Sequence, residues 1–150
     1  MLKGLIHTGL VTKDLESSIA FFKEAFDCKI IFKETNIFKE IESITGIKNQ
    51  KCSLAQLSVP NTGHLIELLQ FHGFEYKNLL EPNIPLRPGQ GHIAFLVENF
   101  DLWVEKLTDL KAKIIGNITK FPEGRAVYLL EPNGIFIEIS ESQIPKIQNE

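Results

Sequence analysis

The chain has little cysteine and no long apolar run. Its 150 residues include two cysteines, Cys28 and Cys52. Two are too few for a disulfide framework, so both are expected as reduced thiols in a cytoplasmic protein. No apolar stretch approaches the roughly 18 residues that a membrane span needs. The apolar stretch in Met1–His7 is too short, ahead of Lys13 and Asp14, to read as a secretory leader. A basic cluster is missing too: lysines stand singly between apolar residues, the net charge is -3 and the pI about 5.8. That balance argues against a nucleic-acid or membrane partner and leaves a small molecule as the expected ligand.

What is present is an ordinary globular composition, 43% apolar, at a length for one compact unit or two small repeats. Residues 5–11 alternate as a strand. Leu15, Ile19, Phe22 and Phe26 recur at helical spacing behind Asp14, a plausible N-cap. Lys29–Phe32 reads as a second strand. Within residues 35–51, Ile37, Phe38, Ile41 and Ile44 fit a short helix stopped by Gly46. Ser53–Val59 and His64–Phe71 read as strands around the turn Pro60-Asn61-Thr62-Gly63.

Residues 72–90 are rich in proline and glycine and read as a linker. The pattern then restarts. His92–Val97 is a strand, and Phe100, Val104, Leu107 and Leu110 mark a helix capped by Asn99 or Asp101. Lys113–Ile115, Ala126–Leu130 and Ile135–Ser140 are strands, the last two joined by a type I turn over Glu131-Pro132-Asn133-Gly134. Gly4-Leu5-Ile6-His7, a helix and Cys28-Lys29-Ile30-Ile31 match Gly89-Gln90-Gly91-His92, a helix and Ala112-Lys113-Ile114-Ile115. This is an internal repeat. The expected fold class is α+β: two tandem βαβββ modules forming a cup-shaped, partly closed mixed sheet with helices outside. The first module spans 1–71, the linker 72–90, the second module 91–141 and a polar tail 142–150, acting as one functional unit.

Four polar residues interrupt apolar strand-like runs: His7, Glu67, His92 and Glu138. Such residues cost stability unless each has a partner. They fall as one His–Glu pair per repeat, and all four are good ligands for a divalent cation. A lone strand histidine is more often a hydrogen-bonded core residue; two at repeat-equivalent positions reverse that weighting. Two ionised carboxylates would balance a divalent charge. Mixed nitrogen and oxygen donors suit Zn, Ni, Co, Mn or Fe without selecting among them.

From residue 4 to 141 the chain resembles the vicinal-oxygen-chelate superfamily. The resemblance is carried by His7-Thr8-Gly9-Leu10 before Lys13-Asp14-Leu15-Glu16, by Leu65-Ile66-Glu67-Leu68, by Gly91-His92-Ile93-Ala94, and by Glu131-Pro132-Asn133-Gly134-Ile135-Phe136-Ile137-Glu138. It implies a metal held by His7, Glu67, His92 and Glu138, a set most like glyoxalase I, and assembly as a homodimer. The implied activity is that of a glyoxalase I-like lyase or isomerase. It would move a proton next to a metal-chelated carbonyl of a small substrate or its thiol adduct, with Glu138, or else Glu67, as catalytic base. Leu10-Val11-Thr12-Lys13 departs from that pattern, because glyoxalase I often carries an arginine there to hold a glutathione carboxylate, and a lysine lacks its bidentate fork.

The alternatives are a methylmalonyl-CoA epimerase-like isomerase, an extradiol-type dioxygenase, or a non-catalytic drug- or metabolite-binding protein of the same fold. Gln56, Phe38, Phe71, Arg125 and Tyr128 are further substrate-contact candidates. For each of them a structural role, as core, strand edge or solvated side chain, is at least as plain a reading. His64 and Trp103 read as a surface and a packing residue.

Overall fold

In a computed structural model, residues 1–73, 85 and 88–142 are described. The expected linker and the polar tail lie mostly outside them. The chain divides into two compact units, Met1–Ile84 and Pro85–Glu150.

The first unit runs β1 (Thr8–Val11), α1 (Leu15–Phe26), β2 (Lys29–Ile37), α2 (Lys39–Thr45), β3 (Lys51–Ser58) and β4 (Leu65–His72). Its sheet has the order β1-β4-β3-β2, with β1 parallel to β4 and the other neighbours antiparallel. The second unit runs β5 (Ile93–Leu96), α3 (Phe100–Asp109), β6 (Lys113–Phe121), β7 (Gly124–Leu130) and β8 (Phe136–Ser142), in the order β5-β8-β7-β6. The repeat is therefore structural as well as sequential, and the mixed sheet is divided into two open four-stranded sheets, one per module. The first module carries the extra helix α2. Gly46 ends it in the left-handed conformation, at φ 71°, which only glycine adopts without strain.

Each sheet buries one face. In β4, Ile66 and Leu68 are fully buried while Leu65, Glu67 and Leu69 are half-exposed, the alternation of a strand with one covered side. Helix α1 supplies the cover, laying Leu15, Ile19, Phe22 and Phe26 toward β3 and β4. Asp14 caps it, accepting a hydrogen bond from Ser17 N, and Gln70 on the covered face reaches up to accept from Leu15 N. In the second unit Phe100, Leu107, Leu129, Phe136, Ile137 and Ile139 form the equivalent core. Full burial of each such side chain contributes about 1.5–3 kcal/mol. Asn99 occupies the N-cap position of α3 with φ 59° but makes no side-chain cap bond.

The turn at residues 131–134 closes as its sequence predicts, Gly134 N donating to Glu131 O. Its acid is a surprise. The Glu131 side chain is fully buried and folds back over the turn, accepting from Asn133 N and Asn133 Nδ2, each at 2.8 Å. A buried carboxylate is tolerable when donors of this kind surround it.

Two His–Glu pairs on the open sheet faces

Strand register brings the expected residues together. His7 and His92 each immediately precede an edge strand that runs parallel to the strand carrying the glutamate. Gly9 aligns with Glu67, and Ala94 with Glu138. Side chains two residues apart share a sheet face. Each histidine therefore stands on the same open face as its glutamate, with a glycine or alanine leaving space beside the carboxylate. His7 Nε2 lies 3.3 Å from Glu67 Oε1, and His92 Nε2 lies 3.0 Å from Glu138 Oε2. All four side chains are partly accessible.

The carboxylates are braced differently. Gln56 faces Glu67 across β3 and β4, and its Nε2 donates to Glu67 Oε2 at 2.8 Å. Tyr128 occupies the equivalent place opposite Glu138, its ring 4.8 Å from that of His92. Burial, the charge of Glu138 and a hydrogen bond to it all push the Tyr128 phenol above its ordinary pKa. Ser140 Oγ donates to Glu138 Oε1 at 2.6 Å. Ser140 was not among the residues picked out from sequence, although its place two positions after Glu138 puts it on the same face.

The separations fit a shared cation. Two donors bound at about 2.0–2.2 Å in neighbouring coordination positions stand roughly 3.0–3.4 Å apart, the spacing found in both pairs. Each pair offers one imidazole nitrogen and one carboxylate oxygen, half of the expected donor set. Among the described residues, no group of three or more His, Cys, Asp or Glu side chains is placed to hold a metal. His7 Nδ1 is buried without a hydrogen-bond partner.

The other candidates fall in different places. Phe71 lies on β4 four residues beyond Glu67, on the same open face. Phe38 is at the N-terminal end of α2 and is largely exposed. Arg125 is committed elsewhere: its guanidinium forms paired bonds of 3.0 Å to both Asp101 oxygens, reaches Glu141 at 2.8 Å and stacks over Phe100. Those hydrogen bonds hold its pKa above the ordinary arginine value. It bolts α3 to β7 and β8 from the covered side. His64 bonds Thr8 Oγ1, His72 bonds Ser53 Oγ, and Trp103 lies under the Lys106 ammonium.

Beside Glu138 the second unit has a concavity of about 370 Å³, lined by Ile115, Asn117, Thr119, Phe121, Ala126, Val127, Tyr128 and Glu138. Tyr128, a substrate-contact candidate from sequence, lies in this lining. Asn117 and Thr119 were not picked out from sequence, because they lie on a part of β6 with no apolar alternation.

The chain matches known proteins over nearly its whole length. Residues 4–139 match the Glyoxalase/Bleomycin resistance protein/Dioxygenase superfamily, and the chain belongs to it. It is 29% identical over 141 residues to the uncharacterized protein YwbC of Bacillus subtilis, covering 92% of this chain and 97% of that one. The fold is shared with a glyoxalase family protein from Bacillus cereus, at a TM-score of 0.78 and 22% identity, covering 95% of both chains. It is also shared, at a TM-score of 0.60 and 20% identity, with a mutant of the fosfomycin resistance protein FosX from Listeria monocytogenes. That alignment covers 93% of this chain and 90% of the other, which was solved with Mn(II) and 1S,2S-dihydroxypropylphosphonic acid.

Proposed function

We propose that the protein is a metal-dependent lyase or isomerase of the glyoxalase I-like type. It moves a proton next to a carbonyl of a small oxygenated substrate or its thiol adduct. The observation that carries this reading is Glu138: the carboxylate that pairs with His92 is also the one that lines the concavity.

His7, Glu67, His92 and Glu138 would hold the cation, drawn from Zn, Ni, Co, Mn or Fe. A bound divalent cation supplies Lewis acidity that polarises a substrate carbonyl and acidifies the carbon beside it. The chain's own residues supply the proton transfer. Glu138, facing the concavity, accepts the proton at a carboxylate oxygen and returns it to the neighbouring carbon or the opposite face. Ser140 and Tyr128 hold Glu138 in place through hydrogen bonds. Glu67 suits the role of fixed ligand, because the amide of Gln56 steadies it from behind. Assembly as a homodimer in the cytoplasm belongs to the same reading.

The test is proton exchange. Protein loaded in turn with Zn, Ni, Co and Mn is incubated in D2O with hemithioacetals, acyl-CoA thioesters and fosfomycin, an epoxide. Metal-dependent incorporation of deuterium beside a carbonyl, lost in Glu138→Gln, is expected. No exchange with any metal overturns the reading, and metal-dependent opening of the epoxide alone would replace it with a hydrolytic one.

A further inference from the structure

We infer that His64 is a positioning residue: through Thr8 it holds the start of β1, and with it His7, in place in the metal-free protein. This rests on the proposed reading of His7 as a metal ligand.

His7 needs such support. It precedes β1, a four-residue strand at the edge of its sheet that pairs with β4. Residues 1–6 are all exposed, Leu5 and Ile6 among them, so the chain reaches His7 with no buried side chain ahead of it. Chain ends of this kind fray unless something ties them down. The ring is not tied from behind either. A metal-ligating histidine usually donates its second nitrogen to a carboxylate or carbonyl, which sets the orientation of the ring. His7 Nδ1 is buried and makes no hydrogen bond among the described residues. The ring is therefore aimed by the backbone that carries it.

The nearest fixed point on that backbone is Thr8. It aligns with Ile66, which is fully buried on the covered face, so Thr8 stands on that face while His7 stands on the open one. His64, two residues before Ile66, shares the face of Thr8, and its Nε2 lies 3.0 Å from Thr8 Oγ1. His64 is itself firmly held. Its N–H donates to Thr62 Oγ1, its carbonyl accepts from Val59 N, and Thr62 Oγ1 donates to Val59 O, each at 3.0 Å. The β3–β4 turn thus fixes His64, His64 fixes Thr8, and His7 is one peptide bond away. The second module differs. Ile93 and Ile135 stand where the repeat puts Thr8 and His64, and Ile93 aligns with Ile137 as Thr8 does with Ile66. Those side chains have no hydrogen bond to give. The latch therefore belongs to the His7 pair, and the His92 pair serves as its internal control.

The first arm of the test uses metal-free protein. Thr8→Val removes the hydroxyl but keeps the shape and the β-branch, so the strand should persist. The nuclear Overhauser effect between the His7 ring and the Glu67 side chain should weaken about threefold or more, while that between His92 and Glu138 keeps its wild-type strength. His64→Phe should do the same, and Thr8→Ser should restore the signal. The double variant Thr8→Val/His64→Phe should lose no more than either single one, because both remove the same bond. The second arm is calorimetric titration with Mn(II). The dissociation constant should rise about threefold to tenfold in Thr8→Val, the worth of one hydrogen bond, and return to wild type in Thr8→Ser. The inference is overturned if the His7–Glu67 signal keeps its strength in folded Thr8→Val, or if the His92–Glu138 signal falls with it, the mark of a general loss of structure. It is equally overturned if wild type binds Mn(II) and Thr8→Val binds it within about twofold as well. A weakened His7–Glu67 signal in a protein whose wild type binds no Mn(II) would uphold the latch while removing the metal reading.

Discussion

Replacing Gln56 by leucine removes a single hydrogen bond from the proposed site and little else. The Gln56 amide donates to Glu67 Oε2 at 2.8 Å, a charge-assisted bond on the partly accessible face of the first sheet. Bonds of this kind contribute about 1.5–3 kcal/mol. If the freed carboxylate swings to solvent in the metal-free variant, restoring it to His7 costs a comparable amount on binding. At 1.4 kcal/mol per tenfold, the metal dissociation constant should rise about 10–100-fold. Leucine keeps most of the volume, so the loss of folding stability should stay under about 1 kcal/mol. Calorimetric titration with Mn(II), run beside thermal unfolding of both proteins, measures the two effects separately. A dissociation constant within twofold of wild type, in a variant that still unfolds at the wild-type temperature, would refute the account of Glu67 as a braced metal ligand.

Two other predictions concern groups away from the cation. Burial pushes the thiol of Cys28 up to about 11, with Asp27 adding to the rise, and burial together with the charge of Glu67 does the same for Cys52. Native protein should therefore react with a thiol reagent at pH 8 far more slowly than unfolded protein. Because the folded pKa values exceed the unfolded ones, the associated stability is intact below pH 9 and is lost as pH rises from 9 through 11; a flat unfolding temperature over that window would contradict this. Glu131→Ala leaves the amides of Asn133 and Ile135 without their acceptor inside the second module. It should cost about 3 kcal/mol and lower Tm by about 6–12 °C, and a shift under about 2 °C would show that the turn does not depend on the buried acid.

Much of this organisation was legible because hydrophobic alternation survives wherever one sheet face is covered. The strands of Glu67 and Glu138 are of that kind, and the internal repeat assigned one histidine to each glutamate. Edge strands were harder. β2 extends from Lys29 to Ile37 and β6 from Lys113 to Phe121, yet apolar pattern marked only Lys29–Phe32 and Lys113–Ile115. Their distal halves are exposed and bulged, so selection for burial leaves no periodic trace there, and the Asn117–Thr119 wall stayed hidden. The Glu131 motif marked where the chain bends but not that its acid turns inward. Arg125 could be placed at the start of a strand, but its partners are Asp101 on α3 and Glu141 on β8, positions 24 and 16 residues away. Such partners follow from packing and not from local pattern.

The central claim is that the two His–Glu pairs serve one cation. The most direct measurement is a crystal structure of the Mn(II)-loaded protein with the ion located by its anomalous signal. The account predicts an ion bonded at about 2.0–2.2 Å by the Nε2 atoms of a His7 and a His92 and by carboxylate oxygens of a Glu67 and a Glu138. An ion held by one pair alone, or bound away from both pairs, would contradict it.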